Sequence, residues 1–207
     1  MDNESENKNP FQSSDISADI YLEINRQLMQ MGFSKSTVNS SVFTEILQKN
    51  TPRGTIKINM YFLPTSFYGG TEFQKLYKKA LEEGSVVIYD GHSGLGEYLN
   101  IDKIEKKNNF KINFPTQKYQ IYFFNSCSSY PYYNATYFDR KLGTKNLDII
   151  TNGLATLFIA IEPSTMPLLK AIDQYMQTGI KTSYQSIISK SDSENLIGIN
   201  GDEDNAR

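Results

Sequence analysis

The stretch "SVVIYDG", residues 85–91, decides how the middle of this chain is read. It is a short continuous apolar run that stops abruptly at an acidic residue and a glycine. "KYQIYFFNS" (118–126) and "LDIITNG" (147–153) repeat the design, each closing on small or polar residues. Continuous rather than alternating hydrophobicity suits strands covered on both faces, as in a parallel sheet joined by crossover helices. Between the first two such runs lies "KIEKKNN" (103–109), read as a solvated loop or helix end, and between the last two lies "YYNATYFDRK" (132–141), read as a helix.

Working outward, "GTEFQKLYKKALEEG" (70–84) sets Phe73, Leu76, Tyr77, Ala80 and Leu81 on one helical face and ends in glycine. Upstream, "TIKINMYFLP" (55–64) is β-rich and halts at Pro64. Downstream, "PSTMPLLKAIDQYMQTG" and "TSYQSIISKS" read as helices, and "NLIGINGD" as a last strand and turn. The expected architecture is an α/β three-layer sandwich around a mainly parallel sheet over residues 54–204. Ahead of it come a polar, disordered tail (1–14) and a helical segment (15–53). In that segment Ile16, Ile20, Ile24, Leu28 and Met31 fall at steps of four and three behind a cap at Asp15 or Ser14, and "TVNSSVFTEILQKN" (37–50) reads as a shorter helix. The apolar stripe of the first helix either packs in the core or holds an upstream or regulatory protein partner.

Composition narrows the function classes. With 21 basic and 23 acidic residues, the net charge of −2 provides no field to gather polyanions, so nucleic acid is not an expected partner. No run approaches the roughly 20 apolar residues of a membrane span. The polar, acidic start is unlike a signal peptide, so the expected compartment is the cytoplasm, or a secreted or periplasmic one if a leader has been removed. One cysteine and one histidine cannot build a structural zinc site, and no metal or organic cofactor is expected. "NAT" at 134–136 is a glycosylation sequon or a helix start, and "GDEDN" lacks the spacing of a calcium loop. The tyrosines of "SSYPYYNATYF" either line a groove or pack beneath the helix.

The chemistry-bearing residues are the lone histidine and the lone cysteine. His92 lies just past the first apolar run and Cys127 just past the second. A lone cysteine at a strand end is commonly a small buried hydrophobe, and a lone histidine is commonly inert. Their joint position at the carboxyl ends of successive strands is the place where α/β sheets gather ligands. Parallel neighbours about 4.8 Å apart would bring a thiol nucleophile beside an imidazole. Glycines 91, 94 and 96 would let the loop turn sharply, and a helix starting after Cys127 would favour a thiolate.

A hydrophobic strand ending in "DGHSG" (90–94), followed by one ending in "NSCSS" (125–129), resembles the caspase, gingipain, clostripain and separase group of cysteine peptidases, with His before Cys in the chain. "DIITNGLATLFIAIEPSTMPLLKAI" (148–172) is similar to the segment after the nucleophile in the gingipain and CHAT branches, and "GINGDEDN" to their terminal strand and turn. The resemblance implies a caspase-like fold and a polypeptide substrate. It makes Cys127 the nucleophile and His92 the acid that protonates the leaving amine. Backbone N–H groups of Ser93, Gly94 and Cys127 would form the oxyanion hole. Where metacaspases and paracaspases carry an aspartate two residues before the cysteine, this chain has Asn125. Asp90 and Asp202 are further candidates for charge near the substrate, or else exposed loop carboxylates. Other readings of the same residues are a catalytically silent binding or scaffold module and a cysteine-dependent amidase or acyl transferase.

Overall fold

The computed structural model describes residues 8–39, 43–65, 71–191 and 195–204. In chain order the elements are α1 (Ile16–Gln30), β1 (Ser34–Asn39), β2 (Phe43–Thr51), β3 (Gly54–Phe62), α2 (Glu72–Glu83), β4 (Val86–Asp90), α3 (Ile101–Asn108), β5 (Gln120–Asn125), α4 (Ser129–Lys141), β6 (Leu147–Asn152), α5 (Ile161–Thr178), α6 (Tyr184–Ser191) and β7 (Ile197–Asn200). The protein is mixed α/β, with one antiparallel sheet, β1-β2-β3, and one mainly parallel sheet, β4-β5-β6-β7. It divides into two compact units. The first runs to Pro64 and resumes over Leu157–Ser193; the second spans Thr65–Thr156 and the C-terminal strand.

In the first unit, α1 forms where the spacing expects it. The Asp15 carboxylate caps it by accepting from the Ser17 N–H at 2.8 Å, and Ile20, Ile24 and Leu28 are buried. These side chains join one core with Phe33, Leu47 and, from α5, Ile161 and Met166. The apolar stripe is therefore occupied within its own unit, and Ile16 at its start is half exposed.

Where a helix is expected over 37–50, residues 37–39 end β1 and 43–50 lie in β2, with 40–42 outside the described residues. Phe43, Glu45 and Leu47 face inward at every second residue, and β3 alternates in the same way, with Ile56, Ile58 and Met60 packed inward while Thr55, Lys57 and Asn59 lie open. Period two is the mark of an antiparallel strand with one wet face. The strands are joined by a hairpin in which Thr51 pairs with Gly54 and the Thr51 hydroxyl donates to the Gly54 carbonyl at 2.7 Å. Pro52 suits the turn, and Gly54 takes a φ of 128° that other residues avoid. The strand at 54–62 thus forms as expected but belongs to this hairpin rather than to the parallel sheet, and α5 and α6 also fold in this unit.

In the second unit β4, β5 and β6 run parallel, with Val86–Asp90 in register against Ile121–Asn125. β7 closes the edge antiparallel to β6. Val87, Tyr89, Tyr122, Phe124, Leu147 and Ile149 share one face and pack against Tyr77 and Leu81 of α2, Ile101 and Ile104 of α3, and Tyr133 and Tyr137 of α4. The unit's own helices therefore pack on one face of its sheet, and Phe123 and Ile150 on the opposite face are buried as well. The reason is topological: crossovers of one hand that step in one direction, β4 to β5 to β6, lay their helices on the same side. Residues 103–109, expected as loop or helix end, are the body and cap of α3, which stops at Asn109 in the left-handed conformation.

Aromatic rings fill this core. Phe124 lies 4.7 Å from Tyr137 and 5.2 Å from Tyr133 between ring centres. Their hydroxyls are not left dry: Tyr77 and Tyr137 share a 2.6 Å hydrogen bond, and Tyr137 donates to the Leu99 carbonyl at 2.8 Å. Burial raises the pKa of Tyr77 and Tyr137 well above the usual phenol value. No helix among the described residues is long and apolar enough to cross a membrane.

Candidate functional site

The carboxyl edge of the parallel sheet carries both chemistry-bearing residues. Asp90 and Asn125, the last residues of β4 and β5, are register partners, and the Gly91 N–H extends the ladder to the Asn125 carbonyl at 3.4 Å. His92 and Cys127 each follow two residues later. Both are half-buried, so neither is sealed in the core.

The His92 loop is held from beneath by hydroxyls. Tyr89 donates to the His92 carbonyl at 2.6 Å, and Tyr133 of α4 donates to the Ser93 carbonyl at 3.1 Å. Gly94, Leu95 and Gly96 then turn through three successive left-handed residues, with φ of 56°, 55° and 85°. A Cβ on Gly94 would sit 2.5 Å from the Tyr98 ring, so glycine is required there for space as well as for conformation. The same helix whose Tyr133 holds this loop begins two residues after Cys127, which ties the two candidate residues to one rigid element. Of the tyrosines near Cys127, Tyr133 and Tyr137 pack beneath the helix, while Tyr130 and Tyr132 are exposed.

Cys127 sits in a tight strand-to-helix turn. Ser128 takes φ of 48°, an uncommon value for a residue with a side chain, and its N–H donates to the Leu154 carbonyl at 2.9 Å. Ser129, fully buried, donates its hydroxyl to the Phe124 carbonyl at 2.6 Å and accepts from the Asn152 N–H at 2.8 Å, pinning the start of α4 to β5 and β6. At 13 residues α4 is long enough to present a helix dipole toward Cys127. The Thr156 N–H donates to Cys127 Sγ at 3.4 Å.

The expected substrate-binding carboxylates are placed differently. Asp90 is not an exposed loop residue; it is buried and accepts from Asn125 Nδ2 at 3.0 Å, and Asn125 itself has no exposed surface. Asp202 lies at the opposite edge of the sheet. β7 runs antiparallel to β6, with Asn200 against Ile149 and Gly201 packed on the Leu147 carbonyl, so the length of β6, roughly 17 Å, separates Asp202 from the carboxyl edge. Asn134, the head of the sequon, is inside α4 rather than at a helix start, and its amide donates to Asn200 Oδ1 at 2.6 Å. Among the described residues no group of three or more His, Cys, Asp or Glu side chains could hold a metal ion.

Asn152 and Thr156 were not among the candidates read from the sequence. The first had a signal, since the third apolar run also ends in a polar residue followed by glycine, as the first does; the second had none. Comparisons with protein-family models, curated proteins and solved structures found no match.

Proposed function

We propose that this chain is a cysteine endopeptidase with a caspase-like second unit, in which Cys127 is the nucleophile and His92 its acid/base partner. One observation carries the reading. The only histidine and the only cysteine follow register-paired strand ends by the same two steps, at the edge where parallel sheets bind ligands. In the reaction the Cys127 thiolate attacks the scissile carbonyl carbon, and backbone N–H groups support the developing oxyanion. The His92 imidazolium passes its proton to the departing amine, leaving an acyl-enzyme. Water then gives a proton to His92, adds to the acyl carbon and releases the acid with the free thiolate.

The test is labelling by an iodoacetamide probe as a function of pH, on the wild-type chain and on His92→Ala, followed by cleavage of a peptide library. Labelling well below the free-thiol value of about 8.5, lost in His92→Ala, together with peptide cleavage abolished in Cys127→Ala, is the expected result. A thiol that ignores His92 overturns the dyad. A coupled thiol that cleaves small amides but no peptide would make the protein an amidase or acyl transferase, and one that cleaves neither would make it a binding module.

A further inference from the structure

A chain of buried side-chain hydrogen bonds runs across the carboxyl ends of the three parallel strands. Asn125 Nδ2 donates to Asp90 Oδ1 at 3.0 Å, Asn152 Nδ2 donates to Asn125 Oδ1 at 3.0 Å, and the same Asn152 amide donates to Thr156 Oγ1. Asp90, Asn125 and Asn152 end β4, β5 and β6 in turn, and all three are buried. The carboxylate gives the chain a direction. An ionised Asp90 can only accept, so Asn125 must turn its NH₂ toward it and its oxygen toward Asn152. Asn152 must then present its own NH₂ to Asn125, and the second hydrogen of that group reaches Thr156. The end of this chain fixes the turn after β6 next to Cys127, where the Thr156 N–H meets Sγ at 3.4 Å.

We infer that Thr156 is a positioning residue whose backbone N–H, held against Cys127 Sγ by the Asp90–Asn125–Asn152 chain, stabilises the thiolate. The inference rests on Cys127 being the nucleophile proposed above, yet it concerns the thiol itself and is tested without a peptide substrate. The neutral thiol donates to the Thr156 carbonyl at 3.7 Å, whereas the thiolate only accepts, from the Thr156 N–H at 3.4 Å; hydrogen bonds to an ionised acceptor are roughly twice as strong as neutral ones, so the balance of the two contacts favours the anion. The same bond costs the anion some nucleophilicity.

That double effect gives a readout that a loosened structure would not produce. A small aromatic disulfide is attacked by the thiolate, forming the mixed disulfide and releasing one aryl thiolate whose absorbance is followed. If the N–H supports the anion about ten-fold, a nucleophilicity slope of about 0.4–0.5 splits the effect of its loss. Thr156→Pro, which deletes the N–H, should react about three-fold more slowly than wild type near pH 6 and about three-fold faster near pH 10, so the two profiles cross. Thr156→Ser keeps both the N–H and the hydroxyl that Asn152 holds, and should stay within two-fold of wild type across the range. Asn152→Ala, which leaves the backbone of 156 intact but unties the chain, should cross in the same sense with a smaller amplitude; it decides the matter if the proline variant fails to fold. Profiles for Thr156→Pro or Asn152→Ala that overlie wild type, or that fall uniformly at every pH, overturn the inference. Loss of peptidase activity as a reading leaves these profiles unchanged, and crossing profiles without peptide cleavage would retain the positioning role while removing the proposed reaction.

Discussion

Replacing Ser129 by alanine removes one oxygen atom and asks how firmly the Cys127 turn is bolted to the sheet. That oxygen is fully buried and serves two backbone groups, donating to the Phe124 carbonyl at 2.6 Å and accepting from the Asn152 N–H at 2.8 Å. Each lost hydrogen bond is worth about 1 kcal/mol net, and each partner left dry costs about 1–3 kcal/mol. Relaxation of the turn recovers part of this, so the expected loss is about 2–4 kcal/mol, a large share of the 5–15 kcal/mol typical of a domain. Urea unfolding followed by tyrosine emission suits the measurement, because the chain has 14 Tyr and no Trp and most of the tyrosines lie in the second unit. With a slope of about 2 kcal/mol per molar, the midpoint should fall by about 1–2 M. The exposed Ser189→Ala should move it by less than about 0.3 M. If the two variants behave alike, the buried clamp does not hold α4 to the strands, and α4 is not a rigid link between the His92 loop and Cys127.

At alkaline pH, stability should fall as the buried tyrosines are forced to ionise. Their folded values are raised by burial, so the stabilisation is complete below about 10 and drains as pH climbs through the folded values. Tyrosinate absorbance should rise in two stages, the second cooperative with unfolding as the buried rings ionise; a single gradual rise would refute this. Lys141 acts in the opposite sense over a lower range. Burial, with Lys118 adding to it, pushes its pKa down to about 8 from 10.5, so the unfolded chain holds the extra proton between those values and stability rises with pH there. Lys141→Met should flatten that rise in urea titrations. Gly94→Ala meets both a left-handed φ and the Tyr98 ring, and should lower stability by about 1–3 kcal/mol, whereas Gly198→Ala, with open space around it and no left-handed φ, should cost about 1 kcal/mol or less by the same measurement.

The three apolar runs were legible because a strand with both faces covered leaves an uninterrupted trace in the sequence, and their polar endings marked the edge where His92 and Cys127 now stand. Period four-three spacing likewise exposed α1 and α2. The misreading at 37–50 has a definite cause. Glu45 sits on the inward face of β2, where Tyr21, Asn25 and Lys35 meet it, and a charged residue at an apolar position disguises period two. The partner strand carried the missing clue, since the alternation of Ile56, Lys57, Ile58, Asn59 and Met60 is that of a half-solvated hairpin.

The sequence by itself therefore determined the three parallel strands of the second unit and the positions of His92 and Cys127 just past two of them, because burial on both faces and glycine-bounded turns are local properties. Only the tertiary structure decided which strands pair, that Asp90 and Asn125 turn inward while Asp202 lies at the far edge, and that Asn152 and Thr156 reach Cys127. Those facts depend on register and strand direction between segments distant in the chain, and on the need of buried polar groups for partners, which no single stretch of sequence contains.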